Sequence, residues 1–185
     1  MSVKNTPREK RHGLIMIYTG NGKGKTTAAL GMALRATGYN WNTLIIQFIK
    51  GDWNYGEMFS IDKLSPNVEL YRMGKGFVRI QNDTKPIEEH KEAALEAVRF
   101  AKNSMESGKY DLIILDEINV ALHEQLISFE DVASLINHKP KYLHLLLTGR
   151  YADKKLYELA DLVTEMTEIK HPFNAGIYAQ PGIDY

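Results

Sequence analysis

Short runs of consecutive apolar residues alternate along this chain with longer stretches in which apolar positions return every three or four residues. The first run, Leu14-Ile-Met-Ile-Tyr-Thr19, has the length of a buried strand, and 25–38 behind it reads as a helix closed by Gly38. A second run at 43–49 and a shorter one at 68–71 predict two more strands. Pro86 opens a helix over 86–107, in which Ala94, Leu95, Val98, Ala101 and Met105 recur at helical spacing. Strands follow at 111–116 and 142–148, separated by a helix over 128–138 that Ser128 caps. Residues 153–160 are again helical, and 162–166 form a last strand.

Strands that alternate with helices pair in parallel through right-handed crossovers, which gives an α/β three-layer sandwich. The runs are continuously apolar rather than alternating, as expected where helices cover both faces of a sheet. Two stretches fit neither pattern, 51–62 and 74–84. Both follow strands, and open α/β sheets bind ligands beyond the carboxyl ends of their strands, so both are candidate substrate loops.

Composition narrows the class. A chain of 185 residues with 44% hydrophobic content supports one buried domain, placed at 13–185 behind a basic arm at 1–12 that carries Lys4, Arg8, Lys10 and Arg11. The arm reads as flexible and solvated. Basic and acidic residues balance at 23 each, whereas a protein gripping a phosphate backbone usually carries a basic excess, so no nucleic-acid partner is expected. The sequence has no cysteine, which removes disulfides, thiolate catalysis and iron–sulfur ligation. If the chemistry needs electrons, another protein must supply them. No apolar run approaches the ~18 residues that cross a membrane, and the polar beginning is no secretory signal. A cytoplasmic protein with no membrane partner is the expectation.

One segment carries chemistry on its own. Gly20-Asn21-Gly22-Lys23-Gly24-Lys25-Thr26-Thr27 lies between a strand and a helix, the context a phosphate-binding loop requires. Glycines let the backbone curl into an anion nest at a helix N-terminus, Lys25 can reach terminal phosphates, and the Thr26 hydroxyl can ligate Mg2+. The usual spacing has a further glycine where this chain has Thr19, and Lys23 is an extra cation inside the loop. The matching acidic group should end a neighbouring apolar strand, and Asp116 or Glu117 after Leu112-Ile-Ile-Leu115 supplies it for magnesium, directly or through water. The fold class expected is therefore a three-layer α/β sandwich with a mainly parallel sheet and a P-loop NTPase (RecA-like) core. Such a loop serves kinases, hydrolases and carriers alike. Read from the loop and strand alone, the chain could be a small-molecule kinase, an ATPase using Glu117 to orient water, or a nucleotide-gated carrier.

Further motifs carry a resemblance over nearly the whole chain. They are Arg11-His-Gly-Leu14, Tyr18 to Ala29 at the loop, Gln47-Phe-Ile-Lys-Gly51, Leu115-Asp-Glu-Ile-Asn119, Leu147-Thr-Gly-Arg150, Glu158 to Val163, and the ending Lys170 to Tyr185. On these the sequence resembles the bacterial phosphate-loop type of corrinoid adenosyltransferase. The resemblance implies that a reduced Co(I) corrinoid (cobalamin, cobinamide or cobyrinic acid a,c-diamide) attacks C5′ of ATP and expels inorganic triphosphate. It also implies an external electron donor such as a reduced flavoprotein, a homodimer, and an N-terminal arm that can cover an active site. Because the cofactor's metal is the nucleophile, no side-chain nucleophile is needed. The requirement is a stabilised polyanionic leaving group and a C5′ held in line, for which Lys23, Lys25, Glu117 and Arg150 are the catalytic candidates beside the loop amides. His90 is expected to be solvated on its helix. The resemblance further places corrinoid contacts at 74–84, where the family has Gly-Phe-Thr-Trp and packs its aromatics on the corrin to displace the lower ligand. Here the residues are Gly76-Phe-Val-Arg79. Phe77 is kept, but Arg79 cannot fill an apolar slot unless its charge reaches solvent or a partner.

Overall fold

The computed structural model describes residues 6–51, 55–76, 78, 83 and 85–185. Among the described residues six strands, β1 (Ile15–Thr19), β2 (Thr43–Gln47), β3 (Val68–Arg72), β4 (Leu112–Asp116), β5 (His144–Thr148) and β6 (Leu162–Glu165), form one sheet in the order β3-β2-β4-β5-β1-β6. Every pairing is parallel, with Ile15 opposite Leu145 and Ile45 opposite Ile114 setting the register.

Alternate residues of the central strands face opposite layers. Met16, Ile45, Ile114 and Leu146 pack on α1 (Lys25–Thr37) through Ala29, Ala33 and Ala36. Ile17, Leu44, Ile113 and Leu147 face α3 (Ile87–Glu106) and α5 (Phe129–His138). Alanines on α1 and α3 let these backbones approach the sheet closely, and the branched strand residues fill the space between. α5 begins on the predicted cap, where Ser128 and Asp131 exchange hydrogen bonds in a capping box.

Several expectations need correcting. The buried stripe of α3 runs through His90, Ala94, Ala97, Ala101 and Met105, with Leu95 outside it at 36% exposure. His90 is thus buried rather than solvated, and its Nε2 lies 3.2 Å from Asp83 Oδ1. A polar ring at the end of a buried stripe needs such a partner, and the loop before the helix provides it. β6 is exposed along its whole length because it is an edge strand, so the rule of continuous burial stops at β1. Residues 153–160 wind as a 3-10 helix, Lys154–Leu159. Two short helices went unforeseen: α2 (Gly56–Ile61), inside one unassigned stretch, and α4 (Ile118–His123), directly after β4.

The N-terminal segment is held from Arg8 onward. Arg8 Nε and Arg11 Nη1 both bond Asp111 Oδ1 at 2.7 Å, and the Arg11 guanidinium lies 4.0 Å over the Trp41 ring. These contacts sit at the amino ends of the strands. The carboxyl ends, where β1, β2, β4 and β5 converge, carry the site.

Candidate active site

A cavity of about 500 Å³ opens at the carboxyl ends of the central strands. Its floor is the phosphate loop from Gly22 to Thr27, between β1 and α1. Gly24 has φ of +113°, and Gly20 has φ of +93° with no room for a side chain, since a Cβ would lie 2.4 Å from Met166 O. Gly22 N–H donates to Met166 O at 2.7 Å, so this amide binds the backbone beyond β6 rather than facing an anion. Asn21 also turns outward, its Oδ1 accepting from Glu168 N–H at 3.2 Å. Thr19, where a glycine was expected, is buried and accepts from Ala152 N–H at 3.2 Å, tying the start of the loop to the segment after β5.

Lys25 Nζ donates to Gly20 O and Gly22 O, both at 2.7 Å, folding back on the loop's own carbonyls. Burial lowers its pKa; Glu117 opposes the shift and Arg150 adds to it. The amine is therefore stored against carbonyl dipoles, and an anion placed there would favour its charged form. Thr27 lines the same floor.

The two acidic residues after β4 have different tasks. Asp116 is fully buried behind the cavity wall. Its Oδ1 accepts from Thr26 Oγ1 at 2.9 Å and from Thr148 Oγ1 at 2.7 Å, and its Oδ2 accepts from Gln47 Nε2 at 3.2 Å. One carboxylate thus joins α1 to β2, β4 and β5. Glu117 faces the cavity from a left-handed backbone, φ +64°, with its N–H donating to Thr148 Oγ1 at 3.0 Å. Burial, reinforced by the Asp116 charge, pushes its pKa up to about 7 against the pull of Lys25, Lys50 and Arg150. Gly149 makes room for it: at φ +129°, an added Cβ would meet Glu117 Oε2 and Asn119 Cβ, each at 3.1 Å.

Arg150 follows Gly149 and lines the cavity with an exposed side chain. The cavity therefore brings together Lys23, Lys25, Thr26, Glu117 and Arg150, drawn from three separate motifs. Asp116 joins them indirectly, through Thr26. Phe77 and Arg79 lie outside the described residues.

Another wall was not foreseen. Lys50, just past β2, donates to Glu57 Oε1 at 2.6 Å, lies 3.8 Å from Asp116 Oδ2 and sits 4.4 Å over the Tyr55 ring. Burial opposes its charge, but Asp116 and Glu57 outweigh it and hold the ammonium above its ordinary pKa. The available signal is its position: Lys50 lies in the Gln47-Phe-Ile-Lys-Gly51 motif, between the end of a predicted strand and the unassigned stretch at 51–62. Ser60 and His171 also face the cavity. Ser60 Oγ bonds the carbonyls of its own helix, and His171 Nδ1 accepts from Phe173 N–H. Neither is coupled to the other as nucleophile and base.

A parallel sheet with a glycine-rich loop on a helix N-terminus, opposite a strand ending in acidic residues, defines a phosphate-loop nucleotide-binding protein. The solved RadB recombinase has this fold, aligning over 88% of this chain and 78% of its own with a TM-score of 0.53; at 13% identity the likeness concerns the fold alone. Residues 11–185 match the ATP:corrinoid adenosyltransferase family BtuR/CobO/CobP, and the chain belongs to that family. It is 38% identical over 178 residues to the corrinoid adenosyltransferase of Escherichia coli K12, covering 96% of this chain and 88% of that protein. The corrinoid adenosyltransferase CobA of Salmonella typhimurium is 37% identical over the same shares. That of a Sinorhizobium species is 39% identical over 198 residues, covering 100% of this chain and 89% of its own. The enzyme class is accordingly ATP:corrinoid adenosyl transfer.

Proposed function

We propose that this enzyme transfers the 5′-deoxyadenosyl group of Mg-ATP to the Co(I) centre of a reduced corrinoid and releases inorganic triphosphate, in adenosylcobalamin biosynthesis or salvage. The supporting observation is the grouping of Lys23, Lys25 and Arg150 round one cavity, in a chain of this family. In the reaction a cobalt electron pair forms the Co–C5′ bond, the C5′–O5′ bond breaks, and its electrons leave on the triphosphate. A side chain has no bond to make. The protein's task is to hold the polyanion and keep C5′ in line.

Lys25 exchanges the Gly20 and Gly22 carbonyls for phosphate oxygens, and Lys23 and Arg150 neutralise the charge that grows as the bond breaks. The Thr26 hydroxyl and the Glu117 carboxyl, hard oxygen donors that suit magnesium, would hold the ion that accompanies the triphosphate. Thr26 is oriented by its bond to Asp116, so Asp116 acts through Thr26. When bound, the ion supplies charge neutralisation at the phosphate oxygens and favours ionised Glu117. Phe77 and Arg79 contact the corrinoid. The electrons come from a separate reduced donor, consistent with the absence of cysteine. The enzyme works as a cytoplasmic homodimer, for which Leu162 and Val163 on exposed β6 and Ile169, Phe173 and Ile177 after it offer apolar surface.

The test is an anaerobic assay with chemically reduced corrinoid and ATP that follows both products. Alkylcobalt product and triphosphate in equal amounts support the proposal. ADP and phosphate formed without corrinoid would overturn it in favour of an ATPase.

A further inference from the structure

The last residues of the chain enter the nucleotide cavity. Ile183 and Asp184 N–H donate to Gln180 O at 3.2 and 2.8 Å, and Gly182 N–H donates to Tyr185 O at 2.7 Å, making a tight turn. Gln180 N–H donates to Asp184 Oδ2 at 2.9 Å. With that oxygen fixed, Oδ1 points at the phosphate loop and pairs with Lys23 Nζ at 2.7 Å. Gly182, Ile183 and Asp184 line the same cavity as Lys25 and Glu117. Backbone atoms of Tyr185 come within 3.7 Å of where a Cβ on Gly56 would lie, so the turn meets α2 across the cavity. The Lys23 bond also holds the Asp184 carboxyl below the ordinary carboxylate range.

We propose that Asp184 is an internal counter-anion which competes with the triphosphate for Lys23. A carboxylate on a phosphate-loop lysine stands where a phosphate oxygen would make its ion pair. ATP must displace it, and after transfer it can reclaim Lys23 as triphosphate leaves. The cost to ATP binding is returned in product release, which matters because a free polyanion in a cationic cradle otherwise leaves slowly. The inference rests on the reading that this loop takes a triphosphate, not on the identity of the acceptor.

The pair is partly exposed, with side chains 41% and 18% accessible for Lys23 and Asp184. An exposed pair of this kind corresponds to a change in affinity of about two- to five-fold. Asp184→Asn keeps the shape and removes the charge; Asp184→Glu keeps the charge. Isothermal calorimetry with magnesium, titrating ATP and separately inorganic triphosphate in the absence of corrinoid, reads both affinities. Asp184→Asn should bind both anions about two- to five-fold more tightly, with the gain shrinking in high salt. Asp184→Glu should stay near wild type. Equal binding by Asp184→Asn would overturn the proposal, and weaker binding would show that the carboxylate supports Lys23 rather than competing for it. Failure of wild type to bind either anion would remove the phosphate site itself. If the anions bind as expected while the corrinoid assay yields ADP, the adenosyl-transfer reading falls and the competition stands.

Discussion

Glu117→Gln should stabilise the ligand-free protein far more at pH 8 than at pH 5. The carboxyl's pKa is raised from 4.5 to about 7 by burial and the neighbouring Asp116 charge. Below the lower value the group is protonated whether the chain is folded or not, and it contributes nothing to the pH dependence. Between the two values the folded protein retains a proton that the unfolded chain releases, so stability falls as pH rises. Above pH 7 both states are ionised and the native state carries the full penalty. At about 1.4 kcal/mol per pKa unit the shift amounts to roughly 3 kcal/mol. Glutamine has nearly the same shape and no charge to bury. The assay is urea unfolding of wild type and variant at pH 5 and pH 8 in the presence of a chelator. Comparing the stability gap between the two proteins at the two pH values cancels every titrating group that is not coupled to Glu117. A gap that grows by about 2.5 kcal/mol from pH 5 to pH 8 is expected. The same gap at both pH values, or a shrinking one, would refute the assignment of this penalty to Glu117.

Other substitutions probe the surrounding scaffold. Thr148→Val removes a donor to buried Asp116 and the acceptor for Glu117 N–H, so chemical denaturation should show a loss of about 3 kcal/mol. Gly149→Ala should cost about 1–3 kcal/mol in the same measurement and raise KM for ATP, because the methyl group meets Glu117 at a φ that disfavours alanine. Phe77→Ala should impair corrinoid reduction and adenosylation far more than ATP binding, and equal losses in paired assays would contradict a corrinoid contact. Together with Asp184→Asn, these separate the nucleotide half of the site from the acceptor half.

The central strands are readable because each carries an unbroken apolar run followed by a helical period or a turn signal. β6 was also readable as a strand, but its exposure was not, since Leu162-Val163 looks the same at an edge as in a centre. α2 escaped because Gly56-Glu-Met-Phe-Ser-Ile61 is too short to show a period, and α4 because Asn119 interrupts its apolar run. His90 was misplaced because a polar residue on an Ala/Glu-rich helix defaults to solvent. Only the Asp83 contact from the preceding loop reveals the buried position. At the site, the phosphate loop and the Asp116-Glu117 pair announced themselves by spacing and context. Their division of labour did not, because only the three-dimensional wall separates Asp116 behind it from Glu117 in front. Lys50 stands inside the Gln47–Gly51 motif with nothing beside it to reveal its role, and nothing local in the sequence could aim Asp184 at Lys23.

The buried carboxylate of Asp116 also sets how the protein opens. Hydroxyl and amide donors reach it from the first turn of α1, from β2 and from β5, so loosening any one leaves a charged group short of its partners in the interior. The start of α1 cannot fray as an ordinary helix end does. Its amide hydrogens, and those where β4 and β5 end, should exchange with solvent together, in a single cooperative event shared with the sheet. The loop floor should therefore hold together as one unit with the sheet, and shared, slow exchange of those amides is its signature.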